Sequence, residues 1–228
     1  MQAWKVEGNK QRMDEHSISV SAGDITGLEL VLLPPVKVSG RIAFEGSASL
    51  ASGHRMVWLS SIAEGGHGFS VGEITKDNTF VLDNLLPGRY AVSVTALTGD
   101  AYLKSAYLGT EDVFKRGLRV GRTAPAGTLE LVVSPFGASV EGTVTKAQKP
   151  AVDAYVRVEM TNAGEGRRSA DTETQTDHYG HFALHALPPG EYTFSVSEEQ
   201  QSAGVQTIKV GLDEGQHRTV SVRLDSSE

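Results

Sequence analysis

Residues 86–94 have the sequence Leu-Pro-Gly-Arg-Tyr-Ala-Val-Ser-Val, and residues 188–196 repeat the pattern as Pro-Pro-Gly-Glu-Tyr-Thr-Phe-Ser-Val. A second pair of segments has the same separation of 102 residues: Val-Ser-Gly-Arg-Ile at 38–42 and Val-Glu-Gly-Thr-Val at 140–144. Two pairs of segments in constant register indicate a duplicated unit of about 100 residues, the usual size of a domain. The sequence therefore predicts two tandem domains.

Four positions of the repeat have a predicted structural role in both copies. They are Gly40, Phe80, Gly88 and Tyr90 in the first copy and Gly142, Phe182, Gly190 and Tyr192 in the second. We expect the phenylalanines to fill the cores and the glycines that follow proline to adopt positive φ in a tight turn. The tyrosines are expected to bury their rings and to bind a neighbouring loop through their hydroxyls.

Short runs with period-two alternation, separated by Gly, Pro and Asn turns, dominate the chain and predict an all-β sandwich fold. The segment Tyr-Val-Arg-Val-Glu-Met at 155–160 is one such run. Asn78 stands where the second copy has Gly180, and we expect it to take the left-handed conformation that glycine would supply. The best helix candidate is a single turn at residues 110–113, with Thr110 as its cap.

The composition excludes several classes of function. The net charge of −7 gives no electrostatic basis for binding nucleic acid, and no apolar run approaches the roughly 18 residues that span a bilayer. The chain has no cysteine, which excludes disulfides and thiolate chemistry. The first eight residues do not have the pattern of a signal peptide.

The predicted domain boundaries are residues 1–34, 35–134 and 135–228. The first segment contains a predicted closing hairpin at 16–33, since Leu-Glu-Leu at 28–30 is repeated at 129–131 and as Val-Arg-Leu at 222–224. We interpret it as the end of an upstream domain, so the chain is expected to be part of a longer tandem array. By this alignment the first domain carries about nine extra residues near 102–108.

Three histidines form the only histidine cluster: His178, His181 and His185. On a strand, residues four apart are on the order of 13 Å from each other, too far for two imidazoles to share one ion readily. We therefore expect no metal site.

Acidic residues also alternate along one run, at Asp171, Glu173 and Asp177. Because their neighbours are threonines, we interpret this run as a solvated sheet face and not as a paired-carboxylate site. The glycine-rich segment at 64–68 lacks the Lys-Ser/Thr of a phosphate-binding loop, so we expect neither a cofactor nor catalytic residues.

The order of motifs resembles the carboxypeptidase regulatory-like domain family. The likeness is best in the second copy, at 140–142, in Asp-His-Tyr-Gly-His-Phe at 177–182, and in Leu-Pro-Pro-Gly-Glu-Tyr at 187–192. The resemblance implies two tandem seven-stranded transthyretin-like β-sandwiches. It also implies a non-catalytic accessory of a secreted, periplasmic or cell-envelope bacterial protein.

Three functions are compatible with this resemblance. The first is a spacer, adhesive or docking element, whose partners are other domains of a longer polypeptide or a separate protein. The second is a carbohydrate-binding module, and the third is an accessory that stabilises a neighbouring catalytic domain. Carbohydrate binding requires a solvent-facing aromatic platform, for which the candidates are Trp58, Phe69, Tyr102, Tyr107 and Tyr179.

Overall fold

The chain is all-β, as its alternating pattern predicts, and contains one single-turn helix among the described residues. A computed structural model describes residues 2–7, 10–15, 34–63, 68–167, 172–198 and 206–224, with isolated positions between 27 and 32. Strands β1 (Gln2–Glu7) and β2 (Lys10–Glu15) form an antiparallel hairpin that the sequence analysis did not predict. The hairpin predicted at 16–33 lies almost entirely outside the described residues.

Nine strands and the helix surround the first hydrophobic core. They are β3 (Val36–Phe44), β4 (Met56–Ser61), β5 (Phe69–Glu73), β6 (Thr79–Leu85), β7 (Gly88–Val94), β8 (Tyr102–Leu108), β9 (Glu111–Asp112), α1 (Val113–Arg116), β10 (Leu118–Val120) and β11 (Leu129–Ser134). One sheet has the order β10-β7-β4-β5, and the facing sheet has the order β6-β3-β11-β8-β9. We refer to this unit as the first sandwich.

Eight strands enclose a separate core in the second sandwich. They are β12 (Ala138–Lys146), β13 (Lys149–Pro150), β14 (Tyr155–Thr161), β15 (Thr172–Gln175), β16 (His181–Leu187), β17 (Gly190–Ser197), β18 (Gln206–Leu212) and β19 (His217–Leu224). One sheet has the order β15-β14-β17-β18. In the other, β12 pairs with β16, with β13 and, in parallel, with β19.

Seven strands of the two sandwiches occupy equivalent places, and the first sandwich has additional elements. Gly40 lies opposite Leu129 in the parallel pair of β3 and β11, whereas Gly142 lies opposite Val220 in the pair of β12 and β19. The sequence alignment that matched Leu129 with Val222 is therefore wrong by two residues. Leu129 follows Tyr90 by 39 residues and Val220 follows Tyr192 by 28, so the insertion is eleven residues long. The additional elements β8, β9 and α1 lie in this part of the chain.

The cap of the helix lies two residues beyond the predicted one. Asp112, and not Thr110, is its cap, because the Asp112 carboxylate accepts a hydrogen bond of 2.9 Å from the Phe114 N–H. Val113 and Phe114 are buried, which anchors the turn against the first core.

A glycine and a phenylalanine face each other across two strands at the centre of each core. Gly40 pairs with Phe80, and Gly142 pairs with Phe182. A Cβ atom on Gly40 would lie 2.0 Å from the Phe80 ring, and one on Gly142 would lie 2.3 Å from the Phe182 ring. Each ring therefore occupies the space that a side chain at the glycine would need, which explains why both residues are present in both copies.

The repeated turn before β7 and β17 is closed by its tyrosine. The Tyr90 hydroxyl donates to the Leu86 carbonyl at 2.9 Å, and the Tyr192 hydroxyl donates to the Pro188 carbonyl at 2.6 Å. Burial raises the pKa of both tyrosines, so both hydroxyls stay protonated donors at neutral pH.

The glycines of this turn differ from the expectation. Gly190 has a φ of +157°, but Gly88 is not among the positive-φ residues, so the prediction of positive φ at both positions is wrong for Gly88. The left-handed residues that the two copies share precede the turn, at Asn84 (φ 63°) and Ala186 (φ 57°). Asn78, with a φ of 58°, takes the left-handed conformation predicted for it, as Gly180 does with 76°.

We expect Gly142→Ala to lower the free energy of unfolding of the second sandwich by about 1–3 kcal/mol, because the new methyl group overlaps the Phe182 ring. Gly121→Ala is the matched control, since a Cβ there would have its nearest contact at 3.9 Å. Denaturant unfolding of both variants measures the difference. Equal midpoints for Gly142→Ala, Gly121→Ala and the wild type would contradict this packing.

Candidate functional site at the junction of the two sandwiches

Only residues 135–137 separate the last strand of the first sandwich from the first strand of the second. Two main-chain hydrogen bonds hold this segment: the Gly137 N–H donates to the Asp100 carbonyl at 2.9 Å, and the Gly215 N–H donates to the Phe136 carbonyl at 2.7 Å. A Cβ atom on Gly137 would lie 2.2 Å from the Asp100 oxygen. Glycine is therefore required for this approach of the two main chains.

A loop of the second sandwich makes a second main-chain contact with the first. The Gly166 N–H donates to the Phe114 carbonyl and the Gly166 carbonyl accepts from the Val92 N–H, both at 3.0 Å. Cβ atoms on Gly164 and Gly166 would lie 2.0 Å and 1.7 Å from main-chain oxygens of α1. This loop continues the edge of the first sandwich beyond the short strand β10, since Val92 and Arg167 form an isolated parallel bridge.

Glu214 of the second sandwich accepts hydrogen bonds from three side chains of the first. Its Oε1 lies 2.8 Å from the Ser134 hydroxyl, 3.0 Å from the Tyr102 hydroxyl and 3.2 Å from the Lys104 ammonium. Lys104 also contacts Glu45 at 2.9 Å. We call Glu214, Ser134, Tyr102 and Lys104 the Glu214 cluster.

The protonation states of the Glu214 cluster follow from these contacts. The hydrogen bond from Ser134, together with those from Lys104 and Tyr102, lowers the pKa of Glu214 below its ordinary value. Burial, reinforced by the neighbouring carboxylate, raises the pKa of Tyr102 to about 12. At neutral pH the cluster therefore has a charged acceptor and protonated donors.

One further ion pair and one histidine–carboxylate contact cross the junction. Arg89 contacts Glu165, and the His185 Nδ1 lies 3.4 Å from an Asp100 carboxylate oxygen. Both pairs are exposed and screened by solvent, so each contributes little to the free energy of association.

A cleft of about 330 Å³ lies between the two sandwiches beside these contacts. Its lining is largely apolar and comes from both sandwiches: Val92, Val94, Leu97, Tyr102, Leu103, Phe114, Met160, Pro188 and Tyr192, with Arg167 as the one ionised side chain among the lining residues. The Arg167 guanidinium lies 4.1 Å from the centre of the Phe114 ring. Burial lowers the pKa of Arg167, which nevertheless stays charged because arginine titrates far above neutrality.

The five aromatic residues predicted as a ligand platform do not come together. Trp58 and Phe69 stack on neighbouring strands with ring centres 6.3 Å apart, while Tyr107 lies in the opposite sheet and Tyr179 in a turn of the second sandwich. Tyr102 is 4% exposed and its hydroxyl bonds Glu214, so its prediction as a solvent-facing residue is wrong. The Trp58 Nε1 is buried and has no hydrogen-bond partner among the described residues.

The three histidines are separated in the structure. The Tyr179 ring lies between His178 and His181, with ring-centre distances of 3.8 Å and 6.1 Å, while His185 faces Asp100 across the junction. Within the described part of the chain, no group of three His, Asp or Glu side chains is arranged to hold a metal ion.

The acidic run also has structural contacts. Asp177 accepts the N–H groups of Tyr179 and His181, both at 2.8 Å, and these bonds lower its pKa. Glu173 lies 3.5 Å from Arg157 on the neighbouring strand. Asp171 lies outside the described residues. Both described carboxylates therefore stabilise local structure.

One serine–histidine contact was not predicted from the sequence. The Ser139 hydroxyl lies 2.5 Å from the His217 Nδ1 on the neighbouring strand, although the residues are 78 positions apart. Ser139 is 4% exposed, so its hydroxyl is inaccessible to a substrate. The contact joins β12 to β19 and does not provide a nucleophile.

We expect Glu214→Gln to destabilise the protein in a pH-dependent way. Because the pKa of Glu214 is depressed in the folded state, its carboxylate contributes stability above the ordinary value of 4.5, and this contribution is lost as the pH falls through the folded-state pKa. The denaturant midpoints of wild type and variant should differ at pH 7 and converge in acid.

The matched control is Glu130→Gln, which removes an exposed partner of Arg41 within the first sandwich. This variant should show a small and nearly pH-independent effect. A Glu214→Gln curve that stays parallel to the wild-type curve down to acid pH would contradict the assigned role of the cluster.

Comparison with known proteins gives a family match within the second sandwich. No curated protein sequence matches the chain. Residues 139–225 match the family model of the carboxypeptidase regulatory-like domain.

Solved structures match the chain with low identities and low TM-scores. The Bacillus anthracis TIE protein is 17% identical with a TM-score of 0.32, covering 86% of this chain, which spans 38% of that protein. GBS52, a minor pilin of Streptococcus agalactiae, is 10% identical with a TM-score of 0.33, covering 85% of this chain and 96% of that one. At such scores no conclusion about function rests on either. What the chain resembles in sequence is therefore given by the family model alone, and that match is confined to residues 139–225 in the second sandwich.

Proposed function

We propose that the chain is a non-catalytic structural module that holds two sandwiches in a fixed orientation, as a spacer or docking element of a longer secreted or cell-envelope protein. The observation that carries this proposal is the three-residue connection crossed by main-chain hydrogen bonds at Gly137 and Gly215. The folding units are residues 35–134 and 135–228.

The contacts at the junction support a stiff connection. Domains joined by a small polar interface normally move relative to each other. Here any rotation of one sandwich against the other has to break the main-chain hydrogen bonds of Gly137 and Gly166. It also has to separate Glu214 from its hydrogen-bond donors. A spacer needs this property, because a flexible junction does not fix the distance between the parts it connects.

The described side chains support a non-catalytic role. The Ser139–His217 contact is buried, and the acidic residues of the 173–177 run stabilise a turn and a strand pair. Carbohydrate binding was the alternative, and it required a common aromatic surface that the separate positions of Phe69, Tyr107 and Tyr179 do not provide. We therefore do not propose it.

A location outside the cytoplasm is part of the proposal and rests on the family of the second sandwich, whose members are generally accessories of secreted or envelope proteins. No helix among the described residues has the length and apolar character to cross a membrane. The expected partners are neighbouring domains of the same polypeptide or a separate protein.

Proteolysis of the junction tests the stiffness. Phe136 is 57% exposed and is a chymotrypsin site, but cleavage requires the surrounding main chain to leave its hydrogen bonds. We expect slow cutting after Phe136 in the wild type. Inserting Gly-Ser-Gly-Ser after Phe136 should accelerate that cut by about tenfold or more, because it releases the Gly137 contact.

The same insertion in the exposed loop after Thr123 is the control, and it should leave the rate at Phe136 unchanged. Mass spectrometry of timed digests measures both rates. Wild-type cutting after Phe136 at the rate of the junction insertion would contradict a stiff module.

A further inference from the structure

The cleft between the sandwiches has the features of a small-molecule site. Its volume of about 330 Å³ lies within the usual range for such pockets, and its walls are mostly apolar. Leu97 and Leu103 come from the first sandwich and Met160 and Tyr192 from the second. A molecule bound there would contact both sandwiches at once.

Arg167 gives the cleft a fixed positive charge. Its main chain is held by a hydrogen bond from its N–H to the Gly164 carbonyl at 3.0 Å, and its guanidinium packs on the Phe114 ring. Among the described residues, none provides an acceptor within hydrogen-bond distance of the guanidinium or a carboxylate within 4.0 Å. Asp112 is the nearby acid that acts on it, and the Asp112 carboxylate is already bound to the Phe114 N–H and to Lys115.

An arginine in this setting favours one class of ligand. A half-buried guanidinium has lost much of its hydration and presents donors in a planar fork that matches a carboxylate. A dianion such as a phosphate monoester is disfavoured, because a single cation faces it and the Asp112 carboxylate lies nearby. The apolar walls favour a hydrophobic body next to the charged group.

We propose that the cleft binds a small monocarboxylate with an apolar or aromatic body, its carboxylate on Arg167 and its body against Leu97, Leu103 and Met160. The ligand is a free small molecule, since the volume of the cleft accommodates a group of about that size. Because its walls belong to both sandwiches, an occupied cleft also stabilises their relative orientation.

The first test is a titration of the full ¹⁵N-labelled chain with 3-phenylpropionate, followed by NMR. We expect saturable shifts of cleft amides such as Ser93 and Gly99, with a dissociation constant in the millimolar range that is usual for a fragment. The neutral isostere 3-phenylpropionamide should bind at least about tenfold more weakly, because it lacks the charge-assisted pair with Arg167. Absence of saturation, or equal binding of acid and amide, would overturn the proposal.

A third ligand distinguishes the source of the carboxylate. The peptide acetyl-Ala-Ala-Phe has the same aromatic group and a free C-terminal carboxylate. We expect it to bind more weakly than 3-phenylpropionate, because its preceding residues add bulk to a ligand that has to fit a cleft of about 330 Å³. Tighter binding of the peptide would overturn the assignment to a free small molecule.

Variants assign the binding to Arg167. Arg167→Gln should weaken the binding of 3-phenylpropionate by at least about tenfold. The control is Arg41→Gln, at an exposed arginine paired with Glu130, which should leave the affinity unchanged. If Arg167→Gln does not fold, Ser93→Phe fills the cleft instead and should abolish binding of both acid and amide. Binding at wild-type affinity in either cleft variant would overturn the proposal of a carboxylate site. The stiffness of the junction is tested separately by proteolysis at Phe136, whose result does not depend on this outcome.

Discussion

The two sandwiches meet through main-chain atoms at positions where a Cβ atom does not fit. At Gly137, Gly164 and Gly166 a methyl group would lie 2.2 Å or less from a carbonyl oxygen of the first sandwich. Because these residues have no side chain, the N–H groups of Gly137 and Gly166 can come within hydrogen-bond distance of their acceptors. The Glu214 cluster and the cleft depend on the same approach, because both are built from residues of both sandwiches.

Polar and apolar contacts at the junction have different roles. The main-chain bonds fix the distance and register of the sandwiches, whereas Glu214 adds a charge whose contribution varies with pH. The contacts leave the cleft open between them, with Arg167 exposed to a ligand on one side and packed on Phe114 on the other. A stiff connector with a ligand site at the junction of its two sandwiches would have a stiffness that depends on ligand concentration.

The duplication made the interior of each sandwich predictable from sequence. Gly40 and Phe80 recur at a constant offset because they pack directly on each other, and Asn78 replaces Gly180 because both tolerate the same left-handed conformation. The closing strand was misaligned by two residues because Val-Arg-Leu and Leu-Glu-Leu share a pattern that repeats every two positions. A pattern that repeats every two residues shows which face of a strand is buried. It does not distinguish two registers that differ by two residues.

The contacts across the junction were not predictable in the same way. Gly164 and Gly166 lie in a segment whose composition is that of an ordinary turn. Contacts made by main-chain atoms leave no pattern of side chains in the sequence. From the sequence alone, Tyr102 resembles a surface aromatic residue. In the structure its hydroxyl donates to Glu214, which lies 112 positions away in the chain. Contacts at such separations follow from the orientation of the sandwiches, which the alternation within each strand does not encode.

The distance between the sandwiches tests the central claim most directly. The chain has no cysteine, so Asp77→Cys and Lys149→Cys introduce one spin label at an exposed position of each sandwich. Pulsed dipolar spectroscopy should give a single narrow distance distribution. Adding Gly137→Ala should broaden it, whereas adding Gly121→Ala should not. A broad distribution in the parent protein, or one that Gly137→Ala leaves narrow and unshifted, would contradict a fixed junction.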